Sequence, residues 1–265
     1  MTSFRNRAAI AALAVVAGSA LAAPTVAAEF VGLVGDKTLV TFDSDTRKVK
    51  RTMTVSGVPS LLGIDVRPAD GWLYGVAPDG TVVTIDTATG KATEKTKLKA
   101  MLAPGVKPTI DFNPAADRLR VMGSDGSNLR ANVDDGAVVT DGALAFAEKD
   151  MHKGEQSNVV AGAYTNSYKG TKATALYDID ATIGALIKQA PPNDGILNAV
   201  GKLGPKVSGP VAFDIESDGK DGNVAWLVHG GTLHTVDLTT GKATAVGAIS
   251  GAGGAISDIA VLPAK

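Results

Sequence analysis

The chain has 265 residues, of which 45% are hydrophobic, 5% aromatic and 20% charged, and its formal net charge is −1. The 31 glycines and 12 prolines are typical of a folded protein rich in turns. Because the charge is nearly balanced and no basic block occurs, we expect no nucleic-acid partner and no binding to an anionic membrane. The sequence has no cysteine, which excludes disulfides and a lipid-bearing cysteine, so the core and the topology must supply the stability.

Residues 1–28 are predicted to be a secretory signal peptide. Arg5 and Arg7 form a basic start, an alanine-rich apolar run follows, and small residues precede a candidate cleavage site after Ala28. Cleavage after Ala22 is the alternative. A retained membrane anchor is the competing interpretation, but the run is shorter than the roughly 20 residues that a spanning helix needs. We therefore expect a periplasmic or secreted protein that has no membrane insertion once the signal is removed.

The rest of the chain contains repeats. GIDVRPADGWLYGVAPDGTVVTIDTATG aligns without a gap with TIDFNPAADRLRVMGSDGSNLRANVDDG, so that Asp65 falls on Asp111 and Gly90 falls on Gly136. A third copy runs VAFDIESDGKDGNVAWLVHGGTLHTVDLTTGKA, and GAYTNSYKGTKATALYDIDATIG is a fourth, weaker copy. The fifth copy is split between ISDIAVLP near the C-terminus and FVGLVGDKTLVTFDSDTRKVKRTMTV near the N-terminus.

Each copy predicts four short strands, since apolar alternation over a few residues is broken by D-G, G-G or T-G turns. A period of roughly 40 to 50 residues with four strands per unit is typical of a β-propeller blade. We predict that residues 29–265 form one all-β domain, a five-bladed β-propeller closed by one C-terminal strand that pairs with the N-terminal strands. An all-β sandwich or an open repeat array is the alternative. FAEKDMHKGEQSN is expected to be a long loop or a short helix.

Several segments also resemble a known family. GIDVRP, DFNPAADRLRV, NLRANVD, AYTN, LYDID and PPNDG are similar to segments of the bacterial exported proteins grouped as domain of unknown function 4394. The resemblance covers nearly all of the chain after the signal. It implies a propeller-like repeat and export, and it implies no reaction, ligand or catalytic residue.

An aspartate recurs on the opening strand of four copies, at Asp65, Asp111, Asp214 and Asp258, while Ala163 takes this position in the remaining copy. In a propeller this strand lines the central channel, so the four carboxylates are predicted to converge. One interpretation is a hard-cation site, with calcium as a possible ion and no other cofactor expected. The other is that each aspartate accepts hydrogen bonds from a neighbouring blade, which the repetition at equivalent positions favours.

A second recurrent set precedes T-G or similar turns near the end of each copy. Its members are Asp43, Asp86, Asn132, Asp180 and Asp237. Asparagine and aspartate side chains commonly accept hydrogen bonds from the backbone two or three residues later, so we interpret this set as turn formers.

The second copy is polar at positions where the first has Trp, Tyr, Val and Thr. These positions are Arg118, Arg120, Asn128 and Arg130. A buried guanidinium needs an anion, and the candidate internal partners are Asp117, Asp125, Asp134 and Asp178. One hypothesis is a structural ion-pair network that includes an Arg130–Asp178 pair between blades. The other is a site for an anionic or carboxylate-bearing ligand.

The ligand hypothesis extends this set to the next blade. It predicts a cleft between the second and third blades, formed by Arg118, Arg120, Asn128, Arg130, Tyr164, Asn166 and Asp178. Concave sites with a few convergent polar groups are the usual ligand positions. The alternative for Tyr164 is packing between blades with its hydroxyl group hydrogen-bonded.

These patterns predict a noncatalytic exported propeller, expected to be a monomer, that binds a small ligand, an ion or a partner protein. The sequence has no H-E-x-x-H motif, no G-x-S-x-G motif and no nucleophilic cysteine. The alternative is a hydrolase or lyase that uses the channel carboxylates, with or without calcium. A scaffold whose rim contacts another protein is the third possibility.

Overall fold

A computed structural model of the chain describes residues 27–220 and 222–263. The predicted signal peptide lies outside the described residues except for its last two, Ala27 and Ala28. Within the described ranges, no helix has the length and apolar character that crossing a bilayer requires.

The described residues form five sheets, and each sheet is one blade. The N-terminal strands are β1 (Glu29–Val34), β2 (Thr38–Asp43) and β3 (Arg51–Thr54). Blade 1 contains β4 (Gly63–Val66), β5 (Leu73–Val76), β6 (Thr81–Ile85) and β7 (Ala92–Lys97). Blade 2 contains β8 (Pro108–Asn113), β9 (Arg118–Gly123), β10 (Asn128–Ala131) and β11 (Val138–Thr140).

Blade 3 contains β12 (Ala145–Phe146), β13 (Val159–Tyr164), β14 (Leu176–Asp180), β15 (Ala185–Gln189) and β16 (Ile196–Lys202). Blade 4 contains β17 (Val211–Ser217), β18 (Asn223–His229), β19 (Thr232–Val236) and β20 (Ala243–Ala248). Blade 5 combines the C-terminal strand β21 (Ile256–Val261) with β1, β2 and β3.

The ring closes as predicted. β21 pairs antiparallel with β1, so that Ala260 lies opposite Val31, and the two ends of the described chain share one blade. The innermost strands β4, β8, β13, β17 and β21 contact one another in this order, and β21 contacts β4 in turn. This closed arrangement excludes the sandwich and the open array, and it leaves only short inner strand edges that face the channel.

The hydrophobic core lies between the blades. Alternation along each strand presents one apolar side to each neighbouring blade, and five buried clusters result, one at each interface. Blades 1 and 2 meet through Tyr74 and Phe112, for example, whose rings pack edge to face with centroids 5.2 Å apart. The inner strands are therefore held rigidly around the channel.

Blade 3 departs from the repeat. Its short β12 pairs parallel with β16 as a fifth strand, whereas the other pairs in this sheet are antiparallel. After Phe146, the segment FAEKDMHKGEQSN continues as turns, which agrees with the predicted loop rather than with a helix. A one-turn 3₁₀ helix, Pro192–Asp194, lies between β15 and β16.

The predicted turn formers act as expected. Oδ1 of Asp43, Asp86, Asp180 and Asp237 each accepts two backbone N–H groups two and three residues later, and Oδ1 of Asn132 accepts one. These bonds satisfy the turn before the last strand in blades 1, 2, 4 and 5 and the turn between β14 and β15 in blade 3, which explains why the residue type recurs.

Candidate functional site

Three aspartates converge inside the channel. Asp65 on β4, Asp111 on β8 and Asp214 on β17 are each 5% exposed, and one carboxylate oxygen from each lies within 4.8 Å of the other two. They belong to blades 1, 2 and 4. The inner strands bring the three together because each side chain lies on the channel face of its strand.

Each of these carboxylates also links its blade to the next one. Asp65 Oδ2 accepts the backbone N–H of Phe112 at 2.7 Å, and Asp111 Oδ1 accepts that of Tyr164 at 2.9 Å. Asp214 Oδ2 accepts the N–H of Val261 at 2.6 Å. The structural interpretation of the repeated aspartates is therefore correct, and it coexists with their convergence.

Asp258 does not join this group, so the predicted four-carboxylate ring is wrong. Asp65 accepts the N–H of Phe112, which is the residue after Asp111. Asp214 accepts the N–H of Val261, which is the residue after Ala260. Ala260 is therefore the residue of blade 5 that corresponds to Asp111 in the channel. Asp258 lies two residues earlier on β21, about 7 Å along the strand. Its Oδ2 accepts the N–H of Ile64 at 2.8 Å.

Burial disfavours the charged form of all four carboxyl groups, and repulsion from nearby carboxylates adds to this effect. Burial, followed by repulsion from Asp214, raises the pKa of Asp65 well above its ordinary value. Burial and repulsion from Asp65 and Asp214 act in the same way on the pKa of Asp111. Burial raises the pKa of Asp214 to about 6, against the lowering effect of its backbone hydrogen bonds, and it raises the pKa of Asp258 to about 8.

Asp111 differs from the other two members of the triad in its hydrogen bonds. Asp65 and Asp214 each use both oxygens, because Oδ1 accepts the N–H of the following residue at 2.6 Å. The residue after Asp111 is Phe112, and its N–H donates to Asp65 instead. No described residue donates to Oδ2 of Asp111. This oxygen is not fully buried, so it reaches the channel solvent and is available to a proton or a cation.

A cavity of about 360 Å³ opens above the triad, at the mouth formed by the ends of the inner strands. Asp65 and Asp214 line it, and Glu216 lies on the same face of β17, one pleat nearer the mouth. Oε2 of Glu216 accepts the indole N–H of Trp226 at 2.9 Å, which fixes this carboxylate. The loop residues Tyr168 and Lys169 also border the cavity.

The arginine set of blade 2 forms a buried network instead of an open cleft. Arg120 is 1% exposed, and its guanidinium donates to Asp141 Oδ2 at 2.6 Å, Asn128 Oδ1 at 2.8 Å and Tyr164 Oη at 3.1 Å. Its Nη2 donates to Asn193 Oδ1 at 2.7 Å. The network joins blades 2 and 3, and protein acceptors surround the guanidinium.

Arg130 pairs with Asp141 and not with Asp178, so the predicted inter-blade pair is wrong. Nε and Nη2 of Arg130 donate to the two Asp141 oxygens at 3.0 and 2.9 Å. Burial alone would raise the pKa of Asp141, but the hydrogen bonds from Arg130 and Arg120 outweigh it and lower that pKa. Arg118 takes no part, since its Nη1 donates to the carbonyl of Asp117 at 2.8 Å.

The remaining predicted ligand residues lie elsewhere. Asp178 is fully buried opposite Gly162, and neither of its oxygens has a hydrogen-bond partner among the described residues. Burial raises its pKa well above the ordinary value. Asn166 forms a reciprocal pair with Asn223 of blade 4, with hydrogen bonds of 2.7 and 2.8 Å. The seven residues therefore do not share one cleft.

Sequence reasoning missed the ion pairs of Arg67. This side chain, 6% exposed at the end of β4, donates to both oxygens of Asp117 and of Asp134 and so joins blades 1 and 2. Hydrogen bonds to these two aspartates raise its pKa above the ordinary value. The sequence offered one indication of these ion pairs, since Arg67 directly follows a strand whose residues are all buried. Glu216, also missed, follows Asp214 by two residues and so shares its face.

The fold and the channel together define a five-bladed propeller with a three-carboxylate centre. The chain belongs to the family described as Domain of unknown function (DUF4394), which matches residues 38–260. No curated protein gives a significant sequence match.

The chain is similar to several solved structures, one of which has a TM-score above 0.5. A protein of unknown function from Bacteroides thetaiotaomicron is 17% identical with a TM-score of 0.53, over 91% of this chain and 68% of the other. An auxiliary nutrient binding protein from the same organism is 13% identical with a TM-score of 0.44, over 74% and 56% of the two chains. A protein of unknown function from Bacteroides caccae is 12% identical with a TM-score of 0.44, over 83% and 72%.

Proposed function

We propose that this protein is an exported, noncatalytic propeller that binds a divalent cation of the calcium type in its channel. The observation that carries the proposal is the convergence of Asp65, Asp111 and Asp214 in the channel, where Asp65 and Asp214 also line a cavity open to solvent. The predicted signal peptide supports export to the periplasm or the medium.

The geometry fits a hard cation. Calcium binds oxygen ligands at about 2.3 to 2.6 Å, so two ligands on opposite sides of one ion lie at most about 5 Å apart. The carboxylate oxygens satisfy this limit, since all three lie within 4.8 Å of one another. A bound dication would also favour the charged form of all three carboxyl groups, and it would supply a partner for Oδ2 of Asp111.

The arginine set offers weaker support for a binding function. An anionic ligand would have to displace Asp141 from Arg120 and Arg130, since both guanidiniums already donate to that carboxylate. Asp141 has 5% side-chain exposure, so the displaced charge would remain buried without a partner. The channel triad needs no such rearrangement.

The test is calcium binding by the purified mature protein, measured by calorimetry and by thermal shift. A ligand present at 100 times its Kd stabilises the native state by about 2.7 kcal/mol. Asp214→Asn should lose the calcium-dependent shift. Asp258→Asn is the matched control, because it removes a carboxyl group of the same channel one layer away, and it should keep the shift.

Equal calcium responses of the two variants, or no response of the wild type, would contradict the proposal. Circular dichroism of both variants establishes that each is folded before the comparison is made. Turnover of glycosides or esters that disappears in Asp214→Asn would instead favour the hydrolase or lyase alternative.

A further inference from the structure

Resting on the proposed cation site, we infer that the mouth cavity binds a neutral monosaccharide, with two neighbouring hydroxyl groups held between the cation and Glu216. Three features support this inference: the size of the cavity, the unfilled coordination positions of the ion and the negative charge of the cavity walls.

The triad by itself leaves the ion incompletely coordinated. Calcium takes 6 to 8 oxygen ligands. Asp65, Asp111 and Asp214 offer one converging oxygen each. Their hydrogen bonds go to the backbone of the next blade and, for Asp65 and Asp214, also to the next residue of their own strand. Asp65 and Asp214 line the cavity, so the coordination positions of the ion on that side face this space and are open to a ligand.

The charge of the walls selects against an anion. One dication leaves the three carboxylates with a net charge of about −1. Glu216 and Asp218 add two further negative charges to the lining, and Lys169 contributes the only lysine or arginine among the described lining residues. A carboxylate or phosphate ligand would enter a negative field, whereas a neutral ligand would not.

Neighbouring hydroxyl groups match both partners at once. Each hydroxyl oxygen has lone pairs for the cation and an O–H that can donate to a carboxylate. Glu216 is one pleat above Asp214 on the same strand face, and its bond to Trp226 holds it in place as an acceptor. The 360 Å³ cavity is at the small end of ligand pockets, which suits one sugar ring.

This mode of binding also agrees with the composition. Aromatic residues make up only 5% of the chain, and Tyr168 is the single aromatic residue among the described lining residues. Stacking on aromatic rings therefore contributes little here. Coordination to the ion, together with the hydrogen bond to Glu216, would supply the affinity instead.

Trp226 provides the readout. It is buried and donates to Glu216, while the other tryptophan, Trp72, is 54% exposed on blade 1. In a Trp72→Phe background, indole fluorescence reports only on the Glu216 neighbourhood. Glucose, mannose, galactose and fucose are titrated with saturating calcium or with EDTA, and citrate is the anionic comparison.

We expect at least one of the four sugars to change the Trp226 emission saturably in calcium. EDTA should weaken binding at least tenfold, and so should Glu216→Gln, which keeps an acceptor for Trp226 but removes the charge. Asp258→Asn should leave sugar binding unchanged. Calcium binding is measured separately by calorimetry on the same samples.

The outcomes separate the two proposals. Absence of calcium binding defeats the cation site and this inference together. Calcium binding with no response to any of the four sugars, sugar binding that EDTA does not weaken, or tighter binding of citrate than of every sugar overturns this inference and leaves the cation site standing.

Discussion

Replacing Arg120 by methionine tests whether the arginine set is structural. The side chain is 1% exposed and donates to four different residues in blades 2 and 3, including the carboxylate of Asp141. Methionine retains much of the apolar stem but removes all of these donors. Tyr164 and Asn128 would each lose the donor to a buried oxygen, whereas the oxygen of the exposed Asn193 could bind water instead.

The expected loss follows from these contacts. Breaking a buried ion pair by removing one partner costs about 3 to 5 kcal/mol, since it leaves an uncompensated charge. Arg130 keeps its two bonds to Asp141, which offsets part of the loss and places the expected value near about 3 kcal/mol. For a domain of this size, that corresponds to a fall in Tm on the order of 10 °C.

Arg118 is the matched control. It lies on the same strand two residues earlier, is only half-buried, and donates to backbone carbonyls of its own turn. Arg118→Met is expected to cost less than about 1 kcal/mol. The assay is urea unfolding followed by circular dichroism, with the slope m compared among the three proteins so that a change in midpoint reports stability.

Equal losses in the two variants would refute this reasoning, because burial and pairing would then not decide the cost. A stable Arg120→Met protein that fails to bind an anionic ligand of the wild type would also refute it. That result would restore the predicted cleft between blades 2 and 3.

Three further outcomes are expected. Because the folded pKa of Asp258 is about 8 and its unfolded value is 3.8, its contribution to stability is fully present below pH 4 and is lost as the pH rises toward 8. At about 1.4 kcal/mol per pH unit, the contribution of Asp258 should fall by about 4 kcal/mol between pH 4 and pH 7, and Asp258→Asn should remove this part of the pH dependence in urea titrations. Gly162→Ala should cost about 1 to 3 kcal/mol in urea unfolding, since a Cβ would lie 2.5 Å from Asp178 Oδ1, and an unchanged midpoint would contradict the packing. Intact mass of the exported protein should show cleavage after Ala22, because Ala28 is buried and paired with Ser44, and a chain starting at Glu29 would disprove this.

Local chemistry made most of the fold predictable. Turn formers such as Asp86 act on backbone groups two and three residues away, so their role depends on adjacent sequence alone. Strand alternation is equally local. The split fifth copy predicted the closing pair of β21 and β1, because a repeat that begins at one end of the chain and finishes at the other can complete a blade only by bringing the ends together.

The partners of buried charges were not predictable in this way. Asp141 follows the last matched position of its repeat, and Asn193 belongs to the irregular part of blade 3, yet both bind Arg120. Residue types indicated that the guanidinium needed an acceptor. Which acceptor reached it depended on how two blades pack and on a turn with no counterpart in the other repeats.

Strand register decided the candidate site. Side chains alternate with period two, so a shift of two residues keeps every side chain on its face and leaves the apolar pattern intact. Asp258 therefore matched Asp65 in the sequence alignment although it lies one layer away in the channel. The spacing to the next proline indicated this shift, because Pro68 follows Asp65 by three residues whereas Pro263 follows Asp258 by five. The sequence by itself determined that aspartates line the channel. Only the hydrogen bonds between blades determined that three of them meet, because those bonds set the height of each strand in the ring.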